Sequence, residues 1–232
     1  MTILIPILSL IVTVGVYLLS KKMYRRWKWF VFSPLLVSPV VLIGCLLATR
    51  TSYDAYASGT HVLLDLLKPA TVAFAIPIYK HLPLLRKHAA ELIVSVMLGS
   101  LLAFASSILI ARLFGLELSM LANLAPRSVT TPIAMAITEK IGGIASLTAA
   151  CVIVTAILGM FLGPLLIRLL SIQTPIAKGV MLGMGAHGGG TSKAFEFGPV
   201  EGTVSCLSMI AAAVVSLAFA PLTFPLLMNV LR

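Results

Sequence analysis

The chain has 232 residues, 59% of them hydrophobic and only 10% charged, with a mean hydropathy of +1.09. A soluble domain carries about a quarter charged residues, so this chain could not cover its own surface in water, and a water-soluble globular protein is excluded. The formal net charge of +10 is assigned to basic loops that follow the positive-inside rule. Nucleic acid is not expected as a partner, because no basic patch with interleaved aromatics lies on a soluble module.

In chain order, Met1–Ser20 is the first apolar run. Its basic residues come after it, and it lacks a small-residue cleavage site, so it reads as a retained signal-anchor-like span. Four further charge-free runs follow, at Trp29–Thr49, Leu92–Ala111, Ile141–Ile167 and Gly202–Leu231. Each can cross a hydrocarbon core of about 30 Å as a helix. Three anomalous segments lie between them. Pro69–Tyr79 is bounded by Lys68 and Lys80, Leu118–Thr138 is interrupted by Arg127, and Gly179–Ser192 holds a glycine run. Short or Gly/Pro-interrupted segments of this kind point to a transporter binding site.

The expected fold is all-α: a polytopic membrane protein with about eight transmembrane segments, three of them broken or short. The basic loop Lys21–Trp29 should be cytoplasmic, which puts the N-terminus outside. Trp27, Trp29, Tyr53 and Tyr56 fall near span ends, as an aromatic belt would. Cys45, Cys151 and Cys206 each lie in an apolar run without metal spacing and read as packing residues. The sequence reads as one domain, 1–232. It also admits an internal repeat with halves 1–115 and 116–232, because Lys68-Pro-Ala-Thr71 and Arg127-Ser-Val-Thr130 place a base and a threonine at the same offsets.

Two stretches carry the chemistry. In Asn123–Ala134, NLAPRSVTTPIA, Pro126 and Pro132 interrupt helical hydrogen bonding. Asn123, Ser128, Thr130 and Thr131 supply polar groups there. Arg127 presents a planar fork suited to a carboxylate. A charge at membrane depth is costly and usually faces a cavity. If a half-helix begins after Pro126, its amide end adds positive potential at the same place. The plain alternative is that Arg127 snorkels to the interface.

In Gly185–Lys193, GAHGGGTSK, three glycines in succession make a poor helix. Gly188, Gly189 and Gly190 can expose amides to an anion. Thr191 and Ser192 add hydroxyls, and His187 can move a proton near neutral pH. The plain alternative is a tight helix-packing face with His187 as a satisfied packing residue. In Leu67–Lys80, Thr71 and Lys68 either face the cavity or anchor at the interface. Glu139 and Glu196 are candidates for a coupling proton, or else ordinary loop charges. No phosphate-binding loop, metal-ligand cluster or nucleophile–base pair is readable. No cofactor, no metal and no enzymatic activity is therefore expected.

The residues LAPRSVTTPIAMAI followed by Ile141-Gly-Gly143, together with SPLLVSPVV at Ser33–Val41, SYDAY at Ser52–Tyr56, KPATVAFAIPIYK and AHGGGTS, resemble the LrgB/CidB family, also called the YohK or antiholin-like family. The likeness runs over nearly the whole chain. Two positions depart from the family pattern. Arg127 stands where a lysine is usual, and Ala186 stands where the later motif, of the form SHAxGT, begins with serine. The resemblance implies one of two roles. One is antiholin-like control of murein hydrolases and lysis. The other is transport of a small monocarboxylate such as glycolate, glycerate or pyruvate, as associated with other members. It also implies a small companion membrane protein of the LrgA/CidA type, and it leaves a homo-oligomer open. A pore does not require an arginine beside two broken helices, whereas a carboxylate carrier does. The residues therefore favour a secondary transporter in the cell inner membrane. In it, Arg127 would hold the carboxylate and His187 would couple a proton.

Overall fold

A computed structural model describes residues 4–27, 30–66, 69 and 72–230. Among these residues every regular element is helical, so the all-α expectation holds. Four helices are long and apolar enough to cross a membrane, within 5–27, 89–113, 145–169 and 199–229, and a shorter apolar helix covers 34–49. The eight expected crossings do not appear as eight span-length helices. The chain divides into two compact units, Met1–Ala75 and Ile76–Arg232. This boundary differs from the 115/116 boundary of the suggested repeat. Lys68 and Thr71, on which the repeat leans, lie outside the described residues.

The first unit holds α1 (Leu4–Trp27), α2 (Pro34–Thr49) and α3 (Tyr53–Asp65). Both α2 and α3 pack on α1. Pro34 opens α2 where a missing N–H costs nothing. Ser52 caps α3 by accepting from the Ala55 amide at 3.4 Å. The α1–α3 approach is so close that a side chain at Gly59 would overlap the Pro6 backbone. The Thr13 and Tyr56 hydroxyls meet across it at 2.9 Å. Lys21, Lys22, Arg25 and Arg26 cluster at the C-terminal end of α1, where positive charge complements the helix dipole.

The second unit begins inside the six-residue helix α4 (Ala75–Lys80), which the six-residue α5 (Leu82–Lys87) follows. At 1.5 Å per residue each is only about 9 Å long, so neither spans. Then come α6 (Ala89–Leu113), the short pair α7 (Leu118–Leu124) and α8 (Thr131–Lys140), α9 (Ala145–Leu169), α10 (Pro175–Phe197) and α11 (Pro199–Val230). The α10 helix packs most extensively on α11 and also contacts α9 and α6. The main core joins Phe104 and Ile108 of α6, Leu121 of α7, Ile137 of α8, Val152 of α9 and Phe224 of α11. Buried Thr138 and Thr148 tie α8 to α9 through their hydroxyls at 2.8 Å. Ala125 and Val129, from the link between α7 and α8, belong to the same core. Irregular backbone is therefore sheltered by protein there, as the hydrocarbon region of a membrane demands.

Candidate functional site

The first break separates α7 from α8. After Leu124 the chain turns twice, with Arg127 N–H donating to the Leu124 carbonyl at 3.2 Å and Val129 N–H to the Pro126 carbonyl at 3.1 Å. Thr130 is extended (φ −60°, ψ 143°) and forms the N-cap of α8. The half-helix thus begins at Thr131 and not directly after Pro126. Pro132 lies in the first turn of α8. There its missing N–H has no intrahelical acceptor to lose, so it starts a helix instead of breaking one.

The second break divides α10. Ala186 (φ −140°, ψ 19°) and His187 (φ 37°, ψ −121°) leave the helical region. The His187 geometry is that of the first central residue of a type II′ turn, a place that favours glycine. The imidazole is buried, and its Nε2 lies 3.2 Å from the Val152 carbonyl of α9. A carbonyl only accepts, so Nε2 carries the proton and donates. Across the same kink, a Cβ on Gly190 would overlap the Leu182 carbonyl, so this bend requires glycine there.

Both breaks line one cavity of about 270 Å³ between α9 and α10. Its walls include Arg127 from the first break, Gly185 and Ala186 from the second, and Thr155, Gly159 and Gly163 from α9. Among the described residues, no carboxylate lies within ion-pairing distance of Arg127. A second gap, of about 10 Å³, lies between Ser100, Pro126, Ser128, Met184 and Ser216. It has room for about one water molecule. The Ser100 hydroxyl there is buried without a hydrogen-bond partner.

The other candidate residues have separate settings. Asn123 is almost fully buried, and its Oδ1 accepts from the Ile144 amide at 2.6 Å, just ahead of α9. Its Nδ2 is buried without a partner. Thr130 and Thr131 are half-buried at the start of α8. Thr191 is buried and meets the Ser205 hydroxyl of α11 at 2.9 Å. Gly189 faces Ala156 of α9, while Gly188 and Ser192 are exposed. Glu139 is exposed near the end of α8, and Glu196 accepts an ion pair from Lys193 at 2.6 Å. Thr71 lies outside the described residues. Thr155, Gly159 and Gly163 were not anticipated, because they sit inside a clean apolar span. Their spacing of four places them on one helix face, and that was the signal available.

The long apolar helices point to a multi-pass helical membrane protein, in which one mostly apolar cavity is lined by both Arg127 and the α10 break. The LrgB-like family model matches residues 13–226, and the chain belongs to that family. It is 52% identical to the uncharacterized protein YwbG of Bacillus subtilis (strain 168), over 94% of this chain and 96% of that protein. It is 34% identical to the uncharacterized protein YxaC of the same organism, over 94% of this chain and 95% of that protein. It is 30% identical to the antiholin-like protein LrgB of Bacillus mycoides (strain KBAB4), over 95% of this chain and 96% of that protein. No solved structure matches.

Proposed function

We propose that the chain acts as an antiholin-like regulator of murein hydrolase activity and lysis in the cell inner membrane. The family match over residues 13–226, with relatives named antiholin-like protein LrgB aligned nearly end to end, carries this reading. It thereby moves ahead of transport, which the residues alone favoured. The test is deletion of the gene, followed by murein hydrolase zymography and autolysis rates. Restored lysis control on re-expression supports the role; hydrolase activity and lysis indifferent to the chain rule it out.

A second reading is carried by Arg127, which lines a cavity without a carboxylate partner. On this reading the chain moves a small monocarboxylate such as glycolate, glycerate or pyruvate across the membrane, with the anion at Arg127 and a proton as co-substrate. Uptake of labelled glycolate and pyruvate into proteoliposomes under a pH gradient tests it, with and without a small LrgA/CidA-type partner. Saturable uptake lost in Arg127→Ala supports it; no saturable uptake in either preparation refutes it. The same preparations report on the partner through co-purification and on a homo-oligomer through crosslinking. Surface labelling of an N-terminal tag in intact cells tests the outside placement of that end.

A further inference from the structure

The cavity that Arg127 lines is apolar over most of its wall. Besides the residues already described, Leu158, Leu162 and Leu166 of α9 line it. Leu158 is also 51% exposed, and Leu162 and Leu166 are each 41% exposed. The cavity is therefore open along the side of α9 that faces lipid. Arg127 and Thr155 are its polar side chains. The Thr155 hydroxyl donates to the Cys151 carbonyl at 2.8 Å, which leaves the guanidinium as the side-chain donor free for a ligand.

The groove has a charged end and an apolar end. Thr155, Leu158, Leu162 and Leu166 follow at intervals of three or four residues, so they form one stripe along α9, about 16 Å long. Gly159 meets Ala186 and Gly163 meets Leu182, so α9 and α10 run antiparallel along it. The charge of Arg127 acts on Cys151, one turn before Thr155, which sets the arginine at the Thr155 end. Leu166 and Met181 lie toward the other end, near the turn between the helices. Thr155 is ten residues beyond Ala145, where α9 starts, or about 15 Å along the axis. That is near the middle of a hydrocarbon core of about 30 Å.

A small hydrated acid such as glycolate would gain one guanidinium here and lose its water against leucine and glycine. An acyl chain gains from those same walls. A phospholipid is held back by its glycerol and second chain, which keep its charge at the interface. We infer that the cavity takes a single-chain fatty acid from the bilayer, with its carboxylate on Arg127 and its tail along the leucine stripe. The site rests on the transport reading's assignment of Arg127 to an anion, but its ligand comes from the membrane and not from water.

The test uses the full-length chain in nanodiscs of phosphatidylcholine. The probe is a palmitic acid analogue with a diazirine in mid-chain, crosslinked by light and located by peptide mass spectrometry. Crosslinks should fall on Leu158, Leu162, Leu166 or Met181, and palmitate should compete for them. Arg127→Ala should cut this labelling about tenfold. Arg127→Lys should restore most of it, which separates a lost charge from a lost fold. Gly185→Leu fills the cavity from a position where an added side chain meets nothing within 4 Å, and it should cut labelling as far. Labelling of the stripe that is unchanged in Arg127→Ala, or that methyl palmitate displaces as well as palmitate does, marks an ordinary lipid-facing surface and overturns the site. Equal displacement by phosphatidylglycerol overturns the choice of a single-chain acid. Glycolate binding to the same preparation is read separately by titration. Glycolate bound without the fatty acid overturns the fatty-acid site and keeps the small-anion reading. The fatty acid bound without glycolate supports the site and removes glycolate as its ligand, and binding of neither removes both.

Discussion

Arg127 and His187 lie at the two breaks, and their substitutions separate function from fold. On the carboxylate reading, Arg127→Ala should weaken anion binding about 10- to 100-fold, the range for losing a hydrogen bond to a charged group. Arg127→Lys should keep most of it, because a point charge still attracts an anion. Isothermal titration with glycolate checks both. At His187 the backbone (φ 37°) is strained for any side chain, so glycine and alanine should differ. His187→Gly removes the bond to Val152 but relieves the strain, whereas His187→Ala removes the bond and keeps the strain. Thermal unfolding should rank alanine below glycine, by roughly 1 kcal/mol. Equal melting temperatures would mean that the kink is not strained. Asn123→Ala removes the acceptor for the Ile144 amide and should cost about 1 kcal/mol, read as a lower melting temperature.

Along the helices, glycines that the sequence presents as one group divide by what lies opposite them. A side chain at Gly183 would overlap the Ser205 carbonyl of α11, whereas one at Gly185 meets nothing within 4 Å. Gly183→Ala should therefore force α10 and α11 apart and destabilise by about 1–3 kcal/mol. Gly185→Ala should stabilise by up to about 1 kcal/mol through helix propensity. Opposite signs in detergent melting curves are the expected result. Both breaks were legible in the sequence as stretches of weakened helix, although Pro132 starts a helix and the second kink falls at Ala186 and His187, just ahead of the three glycines. Where each half-helix restarts was not legible. That depends on Thr130 adopting an extended cap and on Val152 offering a carbonyl to His187, and both are tertiary facts. The α9 wall of the cavity was hidden for a similar reason: Thr155, Gly159 and Gly163 look like ordinary span residues until α10 packs beside them.

At the scale of the molecule, length and apolarity were enough to reveal the long helices, because a membrane solvent leaves few alternatives. The number of crossings was not, because α4, α5, α7 and α8 are each too short to span and hydropathy counts them as fractions. The division at Ala75 was also hidden, since no linker composition marks it. The four basic residues at the end of α1 follow its apolar run, and at a membrane surface a basic residue contributes about 1 kcal/mol of attraction to an anionic leaflet. Orientation of the first helix is therefore coupled to lipid charge. In bilayers of purely zwitterionic lipid that bias fades, and both orientations should become populated. The phosphatidylglycerol content of a reconstitution thus becomes a variable to control, because it sets the fraction of chains facing each way.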